Sequence, residues 1–201
     1  MKNLIIDGHS HVTFPVEKHL ACMDEAGIDK TVLFRTSIHP ESQSTEAGVK
    51  VEMHRLMDLL SGDPAIVRKH AKKASEELFD VVERYPDRFY CFGMVQPDMD
   101  FDEMKEMVEG QIAQHHILGL GEFTLASGTL PSMENVFKVS AQTACLPLWI
   151  HCFNPLVLED IRQIEVLARK YPSVPVIIGH SGGSNWMETI DIVKRNPNMF
   201  I

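Results

Sequence analysis

Cysteine is sparse in this chain: four residues in 201, at Cys22, Cys91, Cys145 and Cys152, with no C-x-x-C pair among them. A chain of this length does not need covalent staples, so the thiols are expected to be reduced and mostly packed. Basic residues are also scarce, since 19 Lys and Arg against 28 Asp and Glu leave a formal net charge of -9. Such a surface repels nucleic-acid backbones and anionic membranes, and it leaves a small molecule as the expected partner. Long apolar runs are missing too. The opening MKNLIID has three consecutive apolar residues before Asp7, too few for the h-region of a signal peptide, and no other run is long enough to cross a bilayer. The chain accordingly reads as cytoplasmic, with a hydrophobic fraction of 44% that suffices for a core.

What is present is a regular alternation. Runs rich in Val, Ile, Leu and Phe occupy residues 3–6, 31–34, 88–95, 117–120, 147–150, 174–178 and 198–201. Between them lie segments with apolar residues at helical spacing, at 16–27, 65–86, 101–116, 133–144 and 158–172. Gly27 and the Tyr-Pro pairs ending at Pro86 and Pro172 supply helix stops. The strands are apolar on both parities, as parallel strands covered by helices are. Strand starts recur mostly at about 25 to 30 residues, the length of one βα unit of a (β/α)₈ barrel. The expected fold is an α/β TIM-barrel-type parallel barrel in one domain, 1–201, with about strands 1 to 7 present. The chain then stops at NMFI, on what reads as the opening of strand 7, so a C-terminal truncation is expected. Residues 35–63 form a polar insertion after strand 2, holding one short helix at 45–60. It is expected to lie over the active-site face and to select substrate through Arg35 and His39, nearest the strand end.

The ten histidines carry the chemistry. His9 and His11 follow the first apolar run at positions i and i+2, which on a strand face the same side roughly 6.6 Å apart. Two imidazoles so placed converge on a point where an ion at about 2.0 to 2.1 Å binds both. His151 in PLWIHC and His180 in VPVIIGHSGG end two further strands. In a parallel barrel all strand ends share one rim, the rim on which active sites are built, so four histidines there predict a metal site.

These motifs carry a resemblance. DGHSHV at strand 1, GLGEF at strand 4, PLWIHC at strand 5 and VIIGHSGG at strand 6, in that order, resemble the amidohydrolase superfamily. The closest branch is that of amidohydrolase-related hydrolases and aminocarboxymuconate-semialdehyde-type decarboxylases. The resemblance implies that His9, His11 and His151 bind a divalent metal, zinc or else manganese, while His180 is a catalytic or second-metal histidine. The family's last ligand, an aspartate at the end of strand 8, has no counterpart here; Asp191 falls in a helical segment. The implied reaction is hydrolysis of an amide, ester or lactone-type bond in a small molecule by a metal-activated water, whose pKa the ion lowers toward ~7. The alternative is non-oxidative decarboxylation of an aromatic or unsaturated carboxylate. Homo-oligomers are common among such barrels.

Other residues are weighed against these. Glu122 in GLGEF binds or bridges metal, acts as general base, or contacts substrate. Asp7 orients a histidine or holds the strand end. Cys152 faces away from its neighbour His151 and is expected to pack. His115 and His116 close a helix, where a cationic residue suits the dipole, and His19, His54 and His70 are ordinary helix residues. GHSGG also fits the G-x-S-x-G nucleophile elbow with Ser181 as nucleophile. That triad needs a later histidine, and none follows His180, so Ser181 with Gly182 and Gly183 reads better as a turn whose donors hold a substrate anion. A non-catalytic metal-binding remnant is the third reading.

Overall fold

A computed structural model describes residues 3–60 and 64–201; the last residues of the expected insertion, 61–63, lie outside that set. The chain forms two compact units, Met1–Phe92 and Gly93–Ile201. In the first, β1 (Ile6–His11), α1 (Val16–Ala26), β2 (Lys30–Phe34), α2 (Glu46–Leu60), α3 (Pro64–Arg84) and β3 (Phe89–Cys91) follow one another. The second holds α4 (Phe101–His115), β4 (Leu120–Phe123), α5 (Glu134–Gln142), β5 (Leu148–Ile150), α6 (Leu158–Lys170), β6 (Val176–Ile178), α7 (Trp186–Lys194) and β7 (Met199–Phe200). Each unit has its own sheet, ordered β1-β2-β3 and β4-β5-β6-β7, and every pairing is parallel. Parallel neighbours need a crossover between them, and helices supply it.

The strands of each sheet are buried as their composition requires. Leu33 and Phe34 of β2, Leu148 and Ile150 of β5, and Val176 and Ile178 of β6 are buried. Helices cover them with one apolar stripe each: Ala74, Leu78 and Val81 on α3, and Ile161, Ile164 and Ala168 on α6. Full burial of a side chain of this kind contributes about 1.5–3 kcal/mol. The helix ends behave as composition implies. Asp100 caps α4 by accepting from the Asp102 and Glu103 N–H groups, and Gly27 ends α1 in the left-handed conformation at φ 71°. Among the described residues no helix is long and apolar enough to cross a membrane.

Two strands start three residues later than hydropathy suggests, at Ile6 rather than residue 3 and at Leu120 rather than residue 117. β1 opens at Ile6 and runs through both histidines, while Leu4 and Ile5 are exposed. Pairing sets the boundary: β2 begins only where the α1 turn delivers Lys30, so the ladder starts at Ile6 opposite Lys30. Likewise β4 runs from Leu120 to Phe123, anchored by Leu120 opposite Leu148 and Phe123 opposite Ile150. The shift brings Glu122 inside the strand. The insertion contains the expected helix as α2, preceded by a 3-10 turn at Pro40–Ser42.

In the second unit Glu165 joins α6 to the end of α7. Its buried carboxylate accepts from Arg195 Nε at 2.7 Å and Asn196 Nδ2 at 2.8 Å, and it pairs with Arg169 at 2.7 Å. The Arg195 hydrogen bond, outweighing burial, holds its pKa down at about 2. A depressed carboxylate stabilises the fold above its unfolded pKa, and that contribution is lost as pH falls from about 4.5 toward 2. With both arginine partners half-exposed the contribution is on the order of 1–2 kcal/mol. In urea melts Glu165→Gln should lower stability by that amount at pH 7, with the gap to wild type closing by pH 2.

Candidate metal centre

Three side chains from three neighbouring strands meet in the second unit. Glu122 projects from β4, His151 follows β5 directly, and His180 opens the Gly179–Asn185 turn after β6. Glu122 Oε1 lies 2.9 Å from His151 Nδ1 and 3.2 Å from His180 Nε2, and the two ring nitrogens are 3.0 Å apart. The imidazoles meet edge to face, centroids 4.4 Å apart. Glu122 and His151 are largely buried, at 8% and 14% side-chain exposure, whereas His180 at 40% is open to solvent.

Each facing imidazole nitrogen either carries its ring's proton and donates, or is bare and presents a lone pair. A carboxylate and two imidazoles within 4.8 Å of one another are side chains of the kind that bind zinc, manganese and similar ions or flank an ion bound by one of them. The residues therefore fit a divalent cation.

Backbone geometry makes the convergence attainable. At Gly121 an added Cβ would stand 2.6 Å from the Trp149 carbonyl oxygen of β5, so only glycine lets β4 approach β5 this closely. The His151 N–H donates to Phe123 O at 3.0 Å and extends the ladder past the strand end. His180 and Ser181 both take positive φ, at 53° and 52°, a conformation that costs non-glycine residues energy and that clusters at functional sites. Ser181 is exposed. Cys152 is buried, and desolvation pushes its thiol far up, so it packs as its parity implied.

The first unit holds the other pair. The His9 and His11 rings lie edge to face at 5.3 Å, and both rest on Phe34, at 4.6 and 6.4 Å. Phe34 is fully buried and stands opposite His11 in the ladder, so the platform beneath the imidazoles is fixed. Asp7 accepts the His9 backbone N–H at 3.2 Å and holds the strand.

The two residues expected to select substrate follow β2 in this unit. Arg35 donates through Nη1 to Ala71 O and Ser75 Oγ of α3, and burial lowers its pKa to about 10, which leaves it charged at neutral pH. His39 is buried, with Nδ1 3.2 Å from Glu41 and Nε2 3.1 Å from Glu77, while its N–H donates to Glu52. These contacts tie the insertion to α3. Phe34 was missed in the sequence, although an aromatic ending strand 2 opposite an H-x-H strand is a usable signal.

No family model and no curated protein matches the chain. Solved structures do. The 2,6-dihydroxybenzoate decarboxylase from Rhizobium is 15% identical, over 90% of this chain and 67% of that one, at a TM-score of 0.57. The 5-carboxyvanillate decarboxylase from Novosphingobium aromaticivorans, solved with manganese and 4-hydroxy-3-methoxy-5-nitrobenzoic acid, is 16% identical over 96% and 69%, at 0.59. The 4-oxalomesaconate hydratase from Rhodopseudomonas palustris is 16% identical over 96% and 69%, at 0.60. Identities this low establish fold. The chain has the TIM-barrel-type α/β fold, with seven of the eight strands such a barrel holds among its described residues.

Gly121→Ala should disturb the β4–β5 approach, costing about 1–3 kcal/mol in a denaturant melt, whereas Gly128→Ala in the following loop, whose Cβ would meet nothing within 4 Å, should cost less despite its positive φ.

Proposed function

We propose that the chain is a divalent-metal-dependent enzyme of the amidohydrolase superfamily that decarboxylates a small aromatic or unsaturated carboxylate without an oxidant. The observation that carries this reading is the convergence of Glu122, His151 and His180 beyond the carboxyl ends of adjacent parallel strands. Ligands of α/β barrels bind at those ends. Hydrolysis was the first expectation from sequence. Decarboxylation is preferred because two of the three fold relatives above are decarboxylases of aromatic acids, one with manganese bound.

His9, His11 and His151 would hold the ion. That assignment rests on the order of the motifs along the chain. When bound, the ion supplies Lewis-acid polarisation of substrate oxygen. Glu122 holds the His151 and His180 rings in orientation, as a carboxylate beside metal-site histidines does. His180, the most exposed of the three, holds at Nε2 the proton delivered to the substrate carbon. The bond from that carbon to the carboxylate breaks, its electron pair takes the proton, and CO₂ leaves.

Metal analysis tests the site: His9→Ala, His11→Ala and His151→Ala should each retain at most about a tenth of the wild-type content under competing chelator. Unchanged content in all three would sink the assignment. Metal-loaded protein should release CO₂ from hydroxybenzoates in a chelator-sensitive manner, and His180→Gln should lower kcat by about 10²-fold or more with metal retained. Chelator-sensitive cleavage of esters or lactones with no CO₂ release would restore the hydrolase reading.

A further inference from the structure

Beside His180 stands a residue that hydropathy alone does not single out. Phe153 is the second residue past His151 and is 53% exposed, although its ring is large and apolar. The ring centroid lies 6.0 Å from that of His180, with the planes inclined by 56°. It is seated on the left-handed turn: a Cβ at Gly183 would stand 2.6 Å from Phe153 Cδ2 and 3.3 Å from Cε2. Gly183, at φ 58°, thus meets both a conformational and a spatial demand for glycine. Behind the ring the Leu156 N–H closes a turn onto Phe153 O at 2.8 Å. The ring is backed by backbone, fixed by a turn, and left open beside the imidazole assigned to proton delivery.

An apolar face held in that way suits a flat partner. Aromatic rings pair offset or edge to face at centroid separations of roughly 4.5–7 Å, and an exposed ring near polar groups is a common wall of a small-molecule site. We propose that Phe153 selects the substrate, packing against the ring of an aromatic carboxylate whose reacting carbon faces His180. The inference rests on the decarboxylase reading and adds to it the side chain that prefers an aromatic over an aliphatic acid.

Calorimetric titration of the metal-loaded full chain tests it, with 4-hydroxy-3-methoxy-5-nitrobenzoic acid as aromatic probe and maleate as aliphatic probe. Phe153→Leu keeps the apolar volume without the ring. It should weaken the aromatic probe about 3- to 10-fold and maleate by less than about twofold. Phe153→Tyr should bind the aromatic probe within about twofold of wild type, and all three proteins should carry equal metal. Equal aromatic affinity in Phe153→Leu, or parallel loss of both probes, overturns the proposal. Metal-loaded wild type that binds maleate but not the aromatic probe overturns it while leaving the metal site standing. Wild type that takes up no metal sinks both.

Discussion

Parallel pairing of β4, β5 and β6 is the constraint on which the site depends. Leu120, Leu148 and Val176 stand in register across the three strands, so residues far apart in sequence arrive side by side at one end of the sheet. Antiparallel pairing would send alternate ends to opposite edges and scatter Glu122, His151 and His180. The ladder even continues past β5, since the His151 N–H still donates to Phe123 O. The imidazole is thereby held by its own backbone as well as by Glu122.

Placing these groups together has a conformational cost. Two successive non-glycine residues, His180 and Ser181, take positive φ, and Gly182 and Gly183 continue the same turn. At Gly182 an added Cβ would meet Thr189 Oγ1, so the turn lies tightly against α7. The apolar layer beneath offsets this cost. Ile150 and Ile178, which precede the two site segments, are buried, as is Ile192 of α7.

The first unit solves a different problem, that of anchoring an insertion that contributes little to the core. Only Glu52 of the described residues of α2 is buried, an unusual residue for that position. It is satisfied by the His39 N–H and by Arg55, and those contacts outweigh its desolvation and depress its pKa. His39 bridges Glu41 and Glu77, so hydrogen bonds to charged groups do the work that apolar burial does elsewhere. Charge-assisted bonds are directional, and they fix the insertion where its few apolar contacts would leave it loose.

Much of this was legible from residue order alone. Apolar runs at βα spacing, the Gly27 stop and the helical stripes on α3 and α6 are local properties, and they determined an alternating parallel α/β fold. The strand-end placement of His9, His11, His151 and His180 was also readable, because each follows or lies within an apolar run. What hydropathy misplaced were boundaries: Leu4 and Ile5 are as apolar as Ile6, yet the ladder begins where Lys30 arrives to pair. Nor does residue order show that Arg35 and His39, which follow strand 2, meet Ser75 and Glu77 on a helix that begins after the insertion. Sequence by itself determined the fold class and singled out histidines whose chemistry suits a metal, since both follow from periodicity and side-chain chemistry. Only tertiary structure decided which of them touch, because contact depends on register, on the close approach allowed at Gly121, and on the turn that carries His180 back to Glu122.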